Sequence, residues 1–251
     1  MRDVDGYRET IDDTPNARVA MASFDTYNAR DWAAYQALQH PDVEWCEVQG
    51  RVFSGVGGVT EEVDNWRDAF PDAQAVVTNL FDCGDDRVVI EWTLTGVRAT
   101  ELRGPDGAEV PRELEARCAD LMQLRDGKVY TGRTYYGLRT VQAVLALQGG
   151  AHEAGVPTPG RFRVGLDSTP ATLVGMASFD NFERPYPADL AEVTNLVDCG
   201  GDRLIIEWTL PGPLGEVRTC DLMQLQDGKV YRVRTYYGLR SAEIVAGVQG
   251  L

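Results

Sequence analysis

VTNLFDCGDDRVVIEWTLTG (77–96) and VTNLVDCGGDRLIIEWTLPG (193–212) are one segment written twice, identical at 15 of 20 positions. Downstream, DLMQLRDGKVYTGRTYYGLR (120–139) returns as DLMQLQDGKVYRVRTYYGLR (221–240), identical at 17 of 20. Upstream, TPNARVAMASFD (14–25) returns as TPATLVGMASFD (169–180). The spacing between equivalent positions is 155 at Met21/Met176, 116 at Trp92/Trp208 and 101 at Tyr136/Tyr237. Such a period is too long for a solenoid and reads as a duplicated domain. The falling spacing means that the second copy lacks 39 residues of the first before the shared strands and 15 more within them. A copy so reduced is not expected to do the same job.

Working outward, each copy alternates like strands and is punctuated like turns. In the first, Thr14-Pro15 opens a helix, with Thr as cap and Pro at its first position. A second short helix, Asp31–Gln39, presents Trp32, Tyr35 and Leu38; VEWCEV (43–48) alternates as a strand; a third helix, Val59–Phe70, carries Val63, Trp66 and Phe70 on one face. Four strand-like runs follow, at 74–82, 87–96, 116–125 and 128–136, with Asp126-Gly127 as a hairpin signal, and a last helix is expected over Thr140–Leu147. Helices followed by an antiparallel meander make an α+β pattern. The expected organisation is a tail over 1–13, a complete unit over 14–149, a linker over 150–160 rich in small residues and proline, and a truncated repeat over 161–251 lacking the second helix, first strand pair and third helix.

Composition narrows the function classes. A net charge of −15 disfavours nucleic acid and anionic membrane surfaces as partners, since both need a basic footprint. No run of 18 apolar residues is present, and MRDVDGYRETIDDTPNAR has no apolar signal core, so the expected location is cytoplasmic. Cys46, Cys83, Cys118, Cys199 and Cys220 have no CxxC spacing and read as reduced, mostly buried thiols. With only His40 and His152, there is little material for a Ser-His-Asp triad or a zinc site, and no Walker loop or dinucleotide fingerprint is present. No metal or organic cofactor is expected.

HPDVEW (40–45), FSGVGGV (53–59), AFPD (69–72), CGDDRVVIEWTLTG (83–96) and DLMQLRDGKV (120–129), in this order and spacing, make residues 14–149 resemble the SnoaL-like polyketide cyclase branch of the NTF2-like superfamily. The resemblance implies a cone of helices packed on a curved antiparallel sheet, a deep apolar pocket between them, and dimerisation through the sheet. It also implies cofactor-free work on small molecules: cyclisation, epoxide opening, isomerisation, or ligand binding without chemistry. Such cyclases usually carry an acidic residue on or after the last strand, where this chain has Thr134 and Gly137. Asp120 matches the neutral, hydrogen-bond-donating aspartic acid of ketosteroid isomerases. The base of those enzymes aligns with Cys46, one residue from Glu47, and their tyrosine falls near Ser23 or Phe24.

Strand parity then sorts candidates by face. Val43, Trp45 and Glu47 share one face, so Glu47 reads either as an inward carboxylate beside Trp45 or as a solvent-facing strand end. Cys118, Asp120 and Met122 share a face, with Thr134 and Tyr136 opposite on the next strand. Glu47 and Asp120 are therefore the expected catalytic pair. Because Asp221 repeats Asp120, a shared structural role stands beside the catalytic one. Trp32, Tyr35, Trp45, Phe53, Trp66, Phe70, Trp92, Met122, Thr134 and Tyr136 are the expected substrate-binding residues, with simple core packing as their alternative. Glu91 and Arg133, repeated by Glu207 and Arg234, lie on the opposite sheet face and read as ion pairs across strands or across a unit–unit interface. The expected partners are a small hydrophobic substrate and, within the chain, the second unit acting as a pseudo-dimer, with a homodimer of the whole chain left open. A non-catalytic ligand-binding or scaffolding protein is the alternative function.

Overall fold

Thr14 and Pro15 start the first helix as their chemistry dictates. Thr14 Oγ1 accepts the Ala17 N–H at 3.1 Å, and Pro15 sits in the first turn, where no N–H is required. The computed structural model describes residues 10–48, 50–99, 112–137, 165–181, 191–211, 216–239 and 241. The linker and the helix expected over Thr140–Leu147 lie outside the described residues.

In chain order the first unit holds α1 (Pro15–Ala29), α2 (Trp32–Ala37), β1 (Gln39–Glu47), β2 (Val52–Ser54), α3 (Gly55–Ala69), β3 (Gln74–Asp82), β4 (Arg87–Val97), β5 (Glu113–Arg125) and β6 (Lys128–Tyr136). The second holds α4 (Pro170–Asn181), β7 (Glu192–Asp198), β8 (Arg203–Leu210), β9 (Val217–Gln226) and β10 (Lys229–Tyr237). This is α+β architecture, helices packed on a largely antiparallel sheet. Two boundaries differ from the sequence reading. The second helix stops at Ala37, and β1 begins at Gln39 and runs through Pro41, where the register with β6 is interrupted between Gln39 and Glu44. A proline is tolerated there because no ladder hydrogen bond is required of it. Residues 10–13, read as a tail, are docked: Ile11 bridges Leu80, and Thr10 N–H donates to Asn79 Oδ1.

The strands form one sheet in the order β3-β4-β5-β6-β10-β9-β8-β7, with β1 parallel to β6 and antiparallel to β2. A single bridge, Tyr136 to Tyr237, joins the halves. The registers repeat: Ile90–Asp120–Thr134 in the first ladder matches Ile206–Asp221–Thr235 in the second. In the first unit α1, α2 and α3 cover one face of the sheet, α3 lying mainly over β1 and β2; the corresponding face of the second ladder is packed by α4 among the described residues. Asn28 pins α1 down, exchanging two hydrogen bonds with the Ala75 backbone at 2.7 and 2.8 Å.

The opposite faces of the two ladders meet. Val48, Phe81, Val89, Leu121 and Tyr135 pack against Val197, Ile205, Leu222 and Tyr236. Within this apolar layer lie two buried glutamates. Glu207 receives Arg133 at 2.6 Å, Tyr135 Oη at 2.5 Å and Asn195 at 2.7 Å. Glu91 receives Arg234 at 3.1 Å, Tyr236 Oη at 2.7 Å and Asn79 at 2.9 Å. The charges pair across the unit–unit interface, which decides between the two readings left open by the sequence. Arg203–Asp12 and Arg87–Asp167 repeat the exchange at the edges, at 3.4 and 3.3 Å. Cys83 and Cys199 were expected as reduced thiols. They are instead joined as a disulfide, because this interface sets equivalent positions of the two units against each other. Cys46, Cys118 and Cys220 are buried thiols outside any disulfide.

Two outcomes are expected from this interface. A chain ending at Gly150 leaves Phe81, Val89, Leu121 and Tyr135 without their cover, and size-exclusion chromatography should find it dimeric or aggregated; a well-behaved monomer would contradict the packing described. Arg133→Leu strands the buried Glu207 carboxylate and should cost about 3 kcal/mol in denaturant unfolding. Arg234→Leu strands Glu91, equally buried, and should cost somewhat less, about 2 kcal/mol, since the Arg234 side chain is 31% exposed against 5% for Arg133 and its contact is longer.

Candidate active site

Between the helices and the sheet of the first unit lies a cavity of about 90 Å³. Its floor is β4, β5 and β6, which present Trp92, Asp120, Met122 and Thr134. Its roof is Phe24 and Tyr27 of α1, Tyr35 of α2, and Glu62 and Trp66 of α3. Helical spacing explains the roof: Phe24 and Tyr27 are three residues apart, and Glu62 and Trp66 four, so each pair shares a face. Trp45 closes one side by lying flat across β6. A Cβ at Gly132 would come within 2.2–2.7 Å of its ring, so only glycine permits this contact. Among the described residues lining the cavity there is no Lys, Arg or His. An anionic ligand would find no counter-charge.

The polar groups facing this space are under-bonded. Tyr27 Oη, Gln39 Oε1, Trp92 Nε1 and Asp120 Oδ1 are buried without a hydrogen-bond partner. Such groups ordinarily cost 1–3 kcal/mol each, roughly, and are rare unless something satisfies them. Burial pushes the Asp120 carboxyl up to about 7, against a smaller downward pull from hydrogen bonding to Thr134 and Trp92, which stand near it in less than ordinary geometry. Burial likewise raises the Glu62 carboxyl well above the usual range, reinforced by the charges of Glu47 and Asp120. Tyr35 is raised too, by burial first and then by Glu62 and Asp120. Burial therefore favours the protonated form of Asp120 up to about 7.

The expected catalytic pair is divided. Asp120 lines the cavity. Glu47 points inward beside Trp45 but is sealed in the core, 1% exposed, where it accepts the Tyr136 hydroxyl at 3.0 Å; neither lines the cavity. Of the expected binding residues, Tyr35, Trp45, Trp66, Trp92, Met122 and Thr134 line it. Phe53 and Phe70 are buried in the core behind it, and Trp32 lies outside against Tyr27, with Arg67 over its ring. Phe53 and Phe70 fail as wall residues because they turn into the core, and Trp32 because it stands outside the cavity. Glu62 and Gln39 were missed. Glu62 was legible: it stands on the same stripe as Val59, Val63 and Trp66, where a charged residue is out of place.

Residues 20–131 match the SnoaL-like domain family. The described residues place helices on a large sheet that does not close. No curated protein matches the sequence. Among solved structures, a SnoaL-like polyketide cyclase candidate from Jannaschia sp. CCS1 is 21% identical, with a TM-score of 0.44, covering 56% of this chain and 96% of its own. A polyketide cyclase candidate from Xanthomonas campestris pv. campestris is 20% identical, with a TM-score of 0.44 and coverages of 53% and 96%. A protein with a ketosteroid isomerase-like fold from Catenulispora acidiphila DSM 44928, in complex with trimethylamine, is 16% identical, with a TM-score of 0.42 and coverages of 52% and 95%.

The raised Asp120 carboxyl makes stability depend on pH with a definite sign. Between about 4 and about 7 the unfolded chain has released this proton while the folded chain retains it, so stability falls as pH rises through that window. Asp120→Asn should therefore raise the melting temperature at pH 8 and leave it nearly unchanged at pH 4. Equal effects at both would place the carboxyl in the ordinary range.

Proposed function

We propose that the SnoaL-like unit is a cofactor-independent acid–base catalyst of cyclisation, epoxide opening or isomerisation. Its substrate is a small, uncharged, hydrophobic carbonyl or epoxide compound of the polyketide kind, and its setting is bacterial secondary metabolism in the cytoplasm. One observation carries the reading: Asp120 Oδ1 and Trp92 Nε1 are buried and unpartnered in one aromatic cavity. The second unit supplies an internal comparison. There the equivalent Trp208 Nε1 donates to Asp221 Oδ2 at 2.8 Å, and Thr235 Oγ1 donates to Asp221 Oδ1 at 2.6 Å. The same three residue types make short hydrogen bonds to one another in one copy, whereas in the other Thr134 and Trp92 pull on Asp120 only weakly and leave Asp120 Oδ1 and Trp92 Nε1 without a hydrogen bond of ordinary geometry. A shared structural role accounts for the closed set and not for the open one.

In the open set, protonated Asp120 and the Trp92 indole N–H are two donors for one substrate oxygen. As charge develops on that oxygen, donors fixed in a water-poor site stabilise it without reorganising. Glu62, across the cavity and also raised, takes or returns a proton at carbon or at a leaving oxygen. The absence of basic side chains from the described lining supports an uncharged substrate, and the rings of Trp45, Trp66 and Trp92 suit a planar one. The second unit stands in for a partner subunit, its outer sheet face docked where a dimer would form. A binding protein without chemistry is the second reading, favoured by Thr134 and Gly137 standing where related cyclases carry an acid.

Turnover of a pool of enolisable ketones and epoxides tests the assignment. Asp120→Asn should lower kcat/KM about a hundredfold and Glu62→Gln at least tenfold, or about 1.4 kcal/mol, whereas Glu47→Gln should act on stability alone. Since protonated Asp120 is the active form, the rate should fall as pH rises through about 7. Turnover indifferent to both cavity carboxyls would leave the binding reading in its place.

A further inference from the structure

Gln39 is a polar residue of the cavity to which the acid–base reading gives no task. It opens β1 directly after α2, is 3% exposed, and lines the same cavity as Asp120. Its amide is used on one side only. Nε2 donates to the Tyr35 carbonyl oxygen at 3.4 Å, at the end of α2, where last-turn carbonyls run short of helical donors. Oε1 is buried and has no hydrogen-bond partner among the described residues. Turning the amide over would set Oε1 against the Tyr35 oxygen, two acceptors in contact, so the nitrogen stays on the helix and the oxygen is left over. Capping of α2 thus accounts for the nitrogen and not for the oxygen. A carboxyl in the same position could relieve itself by taking a proton. An amide oxygen cannot, and needs a donor at every pH.

Backbone register sets this oxygen apart from Asp120. In the β1–β6 ladder Gln39 stands opposite Val129, and in the β5–β6 ladder Val129 stands opposite Leu124. Leu124 lies four residues beyond Asp120 on β5, roughly 13 Å along the strand, a distance over part of which a glutamine side chain reaches back. Between the two levels the lining is Met122, Val129 and the ring of Trp45. The cavity therefore has two polar ends and an apolar middle. We propose that Gln39 Oε1 is a second substrate anchor, accepting a hydrogen bond from a substrate hydroxyl while the reacting oxygen lies at Asp120. The substrate class narrows accordingly, to a fused-ring ketone or epoxide with a free hydroxyl on the ring remote from the reacting oxygen. The orientation of the ligand rests on the oxygen site proposed at Asp120; the contact at Gln39 does not. The anchor selects by chemistry, since a hydroxyl donates, whereas an ether, a fluorine or a second carbonyl oxygen does not. A buried acceptor satisfied by one ligand and stranded by its analogue separates the two by more than contact area.

Isothermal titration calorimetry of the full chain with three ring-matched probes tests the anchor. The probes are α-tetralone and its hydroxy and fluoro derivatives, substituted on the aromatic ring meta to the carbonyl, where the group does not conjugate with it. The hydroxy compound should bind about tenfold more tightly than the other two, the scale of one hydrogen bond to an otherwise unpaired buried acceptor. Equal affinity for the hydroxy and fluoro compounds in the native chain overturns the proposal without any variant. In Gln39→Met, which keeps the length and removes the acceptor, the preference should fall below about twofold while affinity for α-tetralone itself changes little. A preference that survives in Gln39→Met means that the hydroxyl is read elsewhere in the cavity, and also overturns the proposal. Asp120→Leu separates the anchor from the functional reading. With both in place, it weakens all three probes alike and leaves the hydroxyl preference intact. If the preference depends on Gln39 while Asp120→Leu changes no affinity, the anchor stands and the oxygen site at Asp120 fails. If Asp120→Leu weakens the probes while the hydroxyl goes unread, the reverse holds.

Discussion

Two glutamates buried back to back determine how this chain is put together. Glu91 and Glu207 each lie on the outer face of their own ladder, and each takes an arginine and a tyrosine from the other unit. A carboxylate placed in an apolar layer is costly alone and tolerable only with its counter-charge and hydrogen bonds complete. In each of the two pairs the arginine comes from the opposite ladder. The outer faces therefore have one acceptable arrangement, in which equivalent positions meet, and the Cys83–Cys199 pairing and the Asp12–Arg203 and Arg87–Asp167 exchanges follow from it.

With the outer faces committed to each other, the inner faces are free to diverge. The first retains β1, β2 and α3, and these close a chamber over Asp120. The second keeps the Asp–Trp–Thr trio and lacks those elements, and its trio collapses into mutual hydrogen bonds. Divergence of function within one chain thus needs few changes on the sheet itself. The β5–β6 hairpin and its repeat differ at only three positions over 20 residues, and one of the three is Gly132 against Val233. What distinguishes the floor of a cavity from an ordinary sheet face here is what lies above it.

Glu47 and Asp120 illustrate how far strand parity reaches. Alternation turns Asp120 inward and leaves Glu47 either inward or at a solvent-facing strand end; both are inward. Alternation gives the direction of a side chain and not the depth of the space it enters. Glu47 sits at the end of β1, where Tyr136 folds over it, whereas Asp120 lies mid-strand beneath the gap left by Phe24, Tyr27 and Trp66. Phe53 and Phe70 miss the wall for a related reason: a large ring near the end of an element packs into the nearest core. Glu62 shows the opposite case, a charged residue on an apolar helical stripe whose meaning was available from spacing alone.

The sequence by itself determined the elements, their repeat, the caps and turns, the α+β class and the identity of the groups able to move protons, because these depend on local periodicity and on side-chain chemistry. Only the tertiary structure decided which carboxyl meets a cavity, which arginine meets which glutamate and which thiols meet each other. Those are contacts between residues tens to more than a hundred positions apart, as with Arg234 and Glu91, separated by 143. No local pattern encodes them; they follow from the packing of whole faces, in which the burial of one pair of charges sets the register for everything else.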